Sequence, residues 1–145
     1  MKRYSFVSVF ILSLITCGLY FLHVISVISI NNNAIAQRAQ KKSIMHVVPM
    51  VLAAAGSAIV LGAIGIVGDV GICLVLAFLV PIVIAFIWYY QFCRQQCEIL
   101  EVYGRKATPA HSPIVLVLMG FIPIYSYYVL CENYNMGVNA SEGIV

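Results

Sequence analysis

The chain has 145 residues; 63% are hydrophobic, 9% are charged, and the formal net charge is +3. A soluble domain carries about 25% charged residues, so the composition excludes an ordinary soluble domain and a disordered chain. A charge this small and scattered also excludes a nucleic-acid partner. With a mean hydropathy of +1.01, the chain reads as a multi-pass integral membrane protein whose first partner is the lipid bilayer.

The charges gather at Lys2–Arg3, at Arg38, Lys41 and Lys42, and from Arg94 to Lys106; Asp69, Glu132 and Glu142 stand apart. A bilayer core takes about 20 apolar residues per helix. The uncharged gaps therefore predict an all-α membrane protein of four hydrophobic segments, about 6–30, 47–67, 70–91 and 113–131. Together they form a single membrane domain over 1–132, followed by a flexible polar tail over 133–145.

The first segment carries Thr16 and Gly18 near its midpoint. The second is rich in small residues. Ala54, Ala58 and Gly62 recur every four positions and Gly65 follows, a face on which helices approach closely in lipid. Segments two and three meet at Gly68-Asp69-Val70-Gly71, which predicts a tight helical hairpin. Asp69 is read either as an intramembrane carboxylate, hence a functional position, or as a surface turn residue. Segment three ends in Trp88, Tyr89 and Tyr90, an interfacial aromatic belt, and continues as an exposed helix supported by Arg94–Glu98 and Glu101–Arg105 pairs. Gly104 suits a helix C-cap, and Ser112-Pro113 a helix start. The fourth segment carries Gly120 and Pro123 at its midpoint, where Pro removes a backbone donor.

Two topologies compete. If all four segments span, Lys2 and Arg3 lie opposite the other cations. If the first and last are re-entrant helical hairpins, all eight cations share one side, which satisfies the positive-inside rule. Residues 6–15 make about 15 Å of helix, half a bilayer, and the re-entrant arrangement is preferred. Lys2-Arg3, an apolar run and Ala34-Ile35-Ala36 imitate a secretory signal, but the run is too long for one. Leu14-Ile15-Thr16-Cys17 only faintly imitates a lipoprotein site, because the apolar run continues beyond Cys17.

Thr16-Cys17-Gly18-Leu19-Tyr20, followed by Asn31-Asn32-Asn33, and the stretch from Gly120 to Asn133 and Asn135 resemble a bacterial family of small multi-helix membrane proteins catalogued only as a domain of unknown function. The resemblance implies a location in the bacterial cytoplasmic membrane and no activity. It marks Thr16, Gly18, Tyr20, Asn33, Gly120 and Pro123 as positions of interest. The departures are His23 and Val24 in place of aromatics, and no charge ahead of the asparagines.

Chemistry is sparse. Five cysteines, several in apolar segments, do not form a disulfide framework. Cys93 and Cys97 share a helix face, but neither His46 nor His111 stands at a metal-ligand spacing from them. His23 is the one imidazole within an apolar segment: a proton relay, or a neutral ring satisfied by backbone. No phosphate loop, nucleophile elbow or metal helix is present. The expectation is a non-enzymatic membrane protein without cofactor or metal. It acts by helix packing with itself or a larger membrane partner, or by shaping the bilayer. The alternative is a homo-oligomeric channel or transporter lined by Thr16, His23 and Asn31. A lipid-directed enzyme using Glu98, Glu101 and His111 comes third.

Overall fold

The computed structural model describes residues 3–16 and 18–143, and of Pro123 the backbone alone. The described residues form six helices: α1 (Phe6–Ile15), α2 (Leu19–Arg38), α3 (Val47–Val67), α4 (Gly71–Val102), α5 (Pro113–Gly120) and α6 (Pro123–Ser141). Three of them, α2, α3 and α4, are long and apolar enough to cross a membrane. Where the sequence predicts one domain, the chain divides into two compact units: residues 1–44 with 90–145, and residues 45–89. The helix α4 contributes its apolar part to the second and its polar end to the first.

In the first unit each broken segment is two separate helices. At the first break Gly18 has φ +89°, a left-handed conformation that L side chains adopt only at a cost. Its N–H donates to the Ser13 carbonyl at 2.7 Å. One hydroxyl closes both helix ends: Thr16 Oγ1 donates to the Leu12 carbonyl at 2.8 Å and accepts the Tyr20 N–H at 2.9 Å. At the second break Pro123 is the first residue of α6. Proline suits that position because it has no N–H to leave unpaired. It also pushes the residue before it out of the helical region, and Ile122 accordingly sits at φ −93°, ψ 104°.

The contacts of α6 show that the chain reverses at both breaks. At one end Tyr4, just before α1, is bonded to Asn135. Further along, Phe6 lies 5.9 Å from Tyr128 and Phe10 lies 5.7 Å from Tyr127. Hence α1 runs antiparallel to α6. Phe21 lies 4.5 Å from Tyr127 with the rings tilted, and Asn31 bonds Tyr134 at 2.7 Å. Hence α2 runs parallel to α6, and α1 and α2 are the two limbs of one hairpin. The α5 limb is tied in the same sense. Thr108, ahead of α5, is bonded to Asn133 in the later half of α6, while only Phe121 and Ile122 separate α5 from α6.

Two sequence expectations need correcting. Residues 133–141 are not a flexible tail but the last turns of α6, with Asn133, Tyr134 and Val138 buried. Arg3 also stands 4.0 Å from Glu142 at the end of that helix. The first segment does not stop near residue 30; α2 continues to Arg38, because its asparagines have partners to bond.

In the second unit a short turn joins α3 to α4. Gly65 carbonyl accepts the Val70 N–H at 3.1 Å, with Asp69 at φ +50°, a Schellman closure. The less exposed positions of α3 are Val47, Met50, Ala54, Ser57, Ala58, Leu61, Gly62 and Gly65, a single stripe at helical spacing. A Cβ built on Gly65 would stand 2.7 Å from Leu74 Cγ, so the limbs touch at the turn. At the open end Trp88 Nε1 donates to the Met45 carbonyl at 2.6 Å. The outward faces are almost wholly apolar and exposed, including Leu52, Ile59, Ile66, Phe78, Ile82 and Phe86.

Candidate functional site

The polar residues of the first unit collect at the open ends of its two hairpins. Three asparagines each hold one non-helical residue by both its backbone groups. Asn33 Oδ1 accepts the Ile44 N–H and Nδ2 donates to the Ile44 carbonyl, both at 2.9 Å. Asn133 clasps Thr108 at 2.8 and 3.0 Å. Asn135 clasps Tyr4 at 3.1 and 2.7 Å. A carboxamide presents an acceptor and donors in the plane of a peptide group, so each side chain replaces a missing strand or helix partner for a loop. The same surroundings bury Tyr4, and burial pushes its phenol above the ordinary value.

Gln95 of α4 completes this core. Its Nε2 donates to Asn33 Oδ1 at 2.7 Å and to the Lys42 carbonyl at 3.1 Å. The orientation of both amides follows from chemistry. Ile44 N–H can only donate, so the Asn33 atom facing it is oxygen; the Gln95 atom facing that oxygen is therefore nitrogen. This leaves Gln95 Oε1 as the remaining acceptor, buried and without a hydrogen-bond partner among the described residues.

Gln95 lines a cleft of about 530 Å³ between the 40–44 loop and α4. Lys41, Lys42, Ser43, Gln91, Arg94 and Glu98 line it as well. Three cations face one carboxylate, and that carboxylate is already held by Arg94 Nε at 2.8 Å. The loop enters through a left-handed turn at Gln40, φ +56°, closed by Lys41 N–H on the Ala36 carbonyl at 2.8 Å.

The positions singled out from the sequence do not converge on this cleft. Thr16 and Gly18 build the first turn, and Tyr20 receives its backbone bond there; Cys17 of the same signature lies outside the described residues. The His23 side chain is exposed, its ring 6.2 Å from that of Tyr20. Thr16 lies at the first break, outside α2, while His23 and Asn31 stand about 12 Å apart along α2. Asn33 anchors the 40–44 loop. Asp69 is an exposed turn residue at φ +50°. Gly120 ends α5 and Pro123 begins α6. Ala54, Ala58, Gly62 and Gly65 lie on the stripe described above. Among the described residues no three His, Cys, Asp or Glu side chains gather to hold a metal. Sequence reasoning missed Gln95, Asn133, Asn135 and the cleft. The available signal was the density of carboxamides flanking the cations.

Comparison with protein-family models, with curated proteins and with solved structures finds no match for this chain.

Proposed function

We propose that this is a non-enzymatic bilayer-shaping protein. In this reading the α3–α4 hairpin crosses the membrane, while α1–α2 and α5–α6 dip in as re-entrant wedges from the cation-bearing side. The observation that carries it is Tyr134, which meets Tyr4 before α1 (ring centroids 5.9 Å apart) and Asn31 well along α2. The chain entering at Tyr4 is thus back at the same level by Asn31. The first limb of each hairpin, unlike the second limb of 20 or 19 residues, is short: α1 has 10 residues and α5 has 8, about 15 and 12 Å of helix. That is half or less of a hydrocarbon core of about 30 Å. Leu14, Ile15, Leu19, Phe121 and Ile122 at the tips are exposed and apolar, as insertion into lipid requires. The bases carry the asparagines and cations, which belong in the headgroup region and in water.

A wedge of half depth adds area to the leaflet it enters and none to the other, so the bilayer bends away from that leaflet. The reading puts all the cations on the entered side, in accord with the positive-inside rule. It supersedes the channel alternative on economy, since that alternative asks separated side chains to meet between copies.

The test is side-specific labelling of single cysteines at Ser5, Ser43, Asp69 and Ser141 in a cysteine-free background. Labelling of Ser5, Ser43 and Ser141 from one side and Asp69 from the other is expected. Labelling of Ser5 and Ser141 from the side opposite Ser43 would overturn the wedges. Reconstitution at rising protein-to-lipid ratio should shrink vesicle diameter in electron micrographs.

A further inference from the structure

The basic cleft has no part in bending a membrane. We propose that it binds the headgroup of an anionic phospholipid whose phosphate is esterified to a hydroxyl-bearing group, as in phosphatidylglycerol. The proposal takes from the preceding reading only that α4 crosses the membrane. It holds whether or not the short hairpins are re-entrant.

Depth is the first argument. Arg94 follows the aromatic residues Trp88, Tyr89 and Tyr90 on the same helix, about 6 Å beyond Tyr90. Aromatic belts lie at the edge of the hydrocarbon, so the cleft opens at the level of phosphates. Charge is the second. Lys41, Lys42 and Arg94 converge on a space whose single carboxylate, Glu98, is already paired, and basic pockets beside membrane helices take anionic headgroups. An arginine engaged through Nε keeps its terminal Nη groups for a phosphate.

Preorganisation is the third. The loop bearing the lysines is clasped at Ile44 by Asn33 and at Lys42 by Gln95. It leaves α2 through a Schellman closure at Gln40, φ +56°, which fixes where the loop starts. The last argument is Gln95 itself, 2% exposed, a lining residue of the cleft whose buried acceptor oxygen has no hydrogen-bond partner among the described residues. The phosphodiester of a phospholipid carries no donor for that oxygen. A glycerol headgroup brings two hydroxyls, each able to donate. A volume of about 530 Å³ lies within the range of small-molecule sites.

The experiment is native mass spectrometry of the full-length protein in detergent, offered equimolar phosphatidylglycerol and phosphatidylcholine of identical acyl chains. A single preferred phosphatidylglycerol adduct is expected. Lys41→Ala, Lys42→Ala and Arg94→Ala should each lower the preference about fivefold, with helicity by circular dichroism unchanged. Lys106→Ala, a cation outside the cleft, should leave it unchanged, and Glu98→Gln should raise it. Phosphatidylmethanol, equal in charge but lacking hydroxyls, should bind more weakly than phosphatidylglycerol. Equal uptake of the two competing lipids would overturn the proposal, as would a Lys106→Ala effect as large as that of Lys42→Ala. Equal binding of phosphatidylmethanol would remove the role of Gln95. Displacement of the lipid by millimolar inorganic phosphate would convert the cleft into a free-anion site and end the lipid assignment.

Discussion

Gly62 and Gly65 share one stripe of α3, yet the geometry separates them sharply. A Cβ at Gly62 meets nothing within 4 Å, so Gly62→Ala gains only the helix propensity of alanine, about 0.8–1 kcal/mol. At Gly65 the same methyl would lie 2.7 Å from Leu74 Cγ and Cδ2 and 3.0 Å from the Leu74 backbone nitrogen. The side chain of Leu74 can rotate, but its backbone is held in the turn by neighbouring bonds. Overpacking of this kind costs about 1–3 kcal/mol, which outweighs the propensity gain. The two alanine variants should therefore differ by about 2 kcal/mol, roughly 30-fold in the folding equilibrium. Trp88 is the only tryptophan in the chain and closes the open end of this hairpin on Met45, so its fluorescence reports the hairpin directly. Unfolding by rising SDS in mixed micelles, followed by that signal, is the assay. Equal stabilisation by both substitutions would refute the close approach of α3 to Leu74.

The remaining expectations concern the first unit. Gly18→Ala places a side chain at φ +89° and should cost about 1–2 kcal/mol in the same SDS titration, read by circular dichroism. Thr16→Val, nearly equal in shape, should cost about 1–2 kcal/mol by leaving the Tyr20 N–H unpaired; a loss below about 0.3 kcal/mol would mean the hydroxyl does not close the turn. Asn33→Leu strands the backbone groups of Ile44 and one bond of Gln95, so hydrogen exchange across 40–44 should accelerate at least tenfold. Asn135→Ala releases Tyr4 and should speed tryptic cleavage after Arg3; an unchanged rate would contradict the clasp. His23→Ala should leave stability within about 0.5 kcal/mol, since that side chain is exposed.

Features encoded by neighbouring residues were legible in the sequence. Gly68-Asp69 announced the α3–α4 turn, Gly104 the end of α4, and Ser112-Pro113 the start of α5; the structure has Gly104 at φ +67° and α5 beginning at Pro113. Thr16, Gly18 and Pro123 announced interruptions for the same local reason. The preference for reversals there rested on charge placement and limb length; the pairs that fold the chain back, Tyr4 with Asn135, Phe10 with Tyr127 and Asn31 with Tyr134, lie far apart in the chain and were not legible. The last turns of α6 were misread because Asn133, Asn135 and Asn139 look like a solvated tail. Yet Leu130, Tyr134, Gly137 and Val138 keep helical spacing on one face and are all buried. That pattern outranked composition. The cleft was hidden for a related reason, since Lys41 and Arg94 are 53 positions apart and their segments are joined through the bonds of Gln95 to Asn33 and to the Lys42 carbonyl.

The clasps by Asn33 and Asn133 have a consequence for how this sequence tolerates change. Each grips peptide atoms and ignores what hangs from the Cα, so the gripped residue is interchangeable while the gripping one is not. Ile44 and Thr108 can drift through most of the amino acids with the loops still docked. Only proline, which has no N–H to offer, is shut out. Asn33 and Asn133, by contrast, do not admit glutamine, whose extra methylene would shift the register of the loop they hold. A mutational map of the chain would thus show permissive loops tethered by intolerant helix positions, the reverse of what surface exposure alone would lead one to draw.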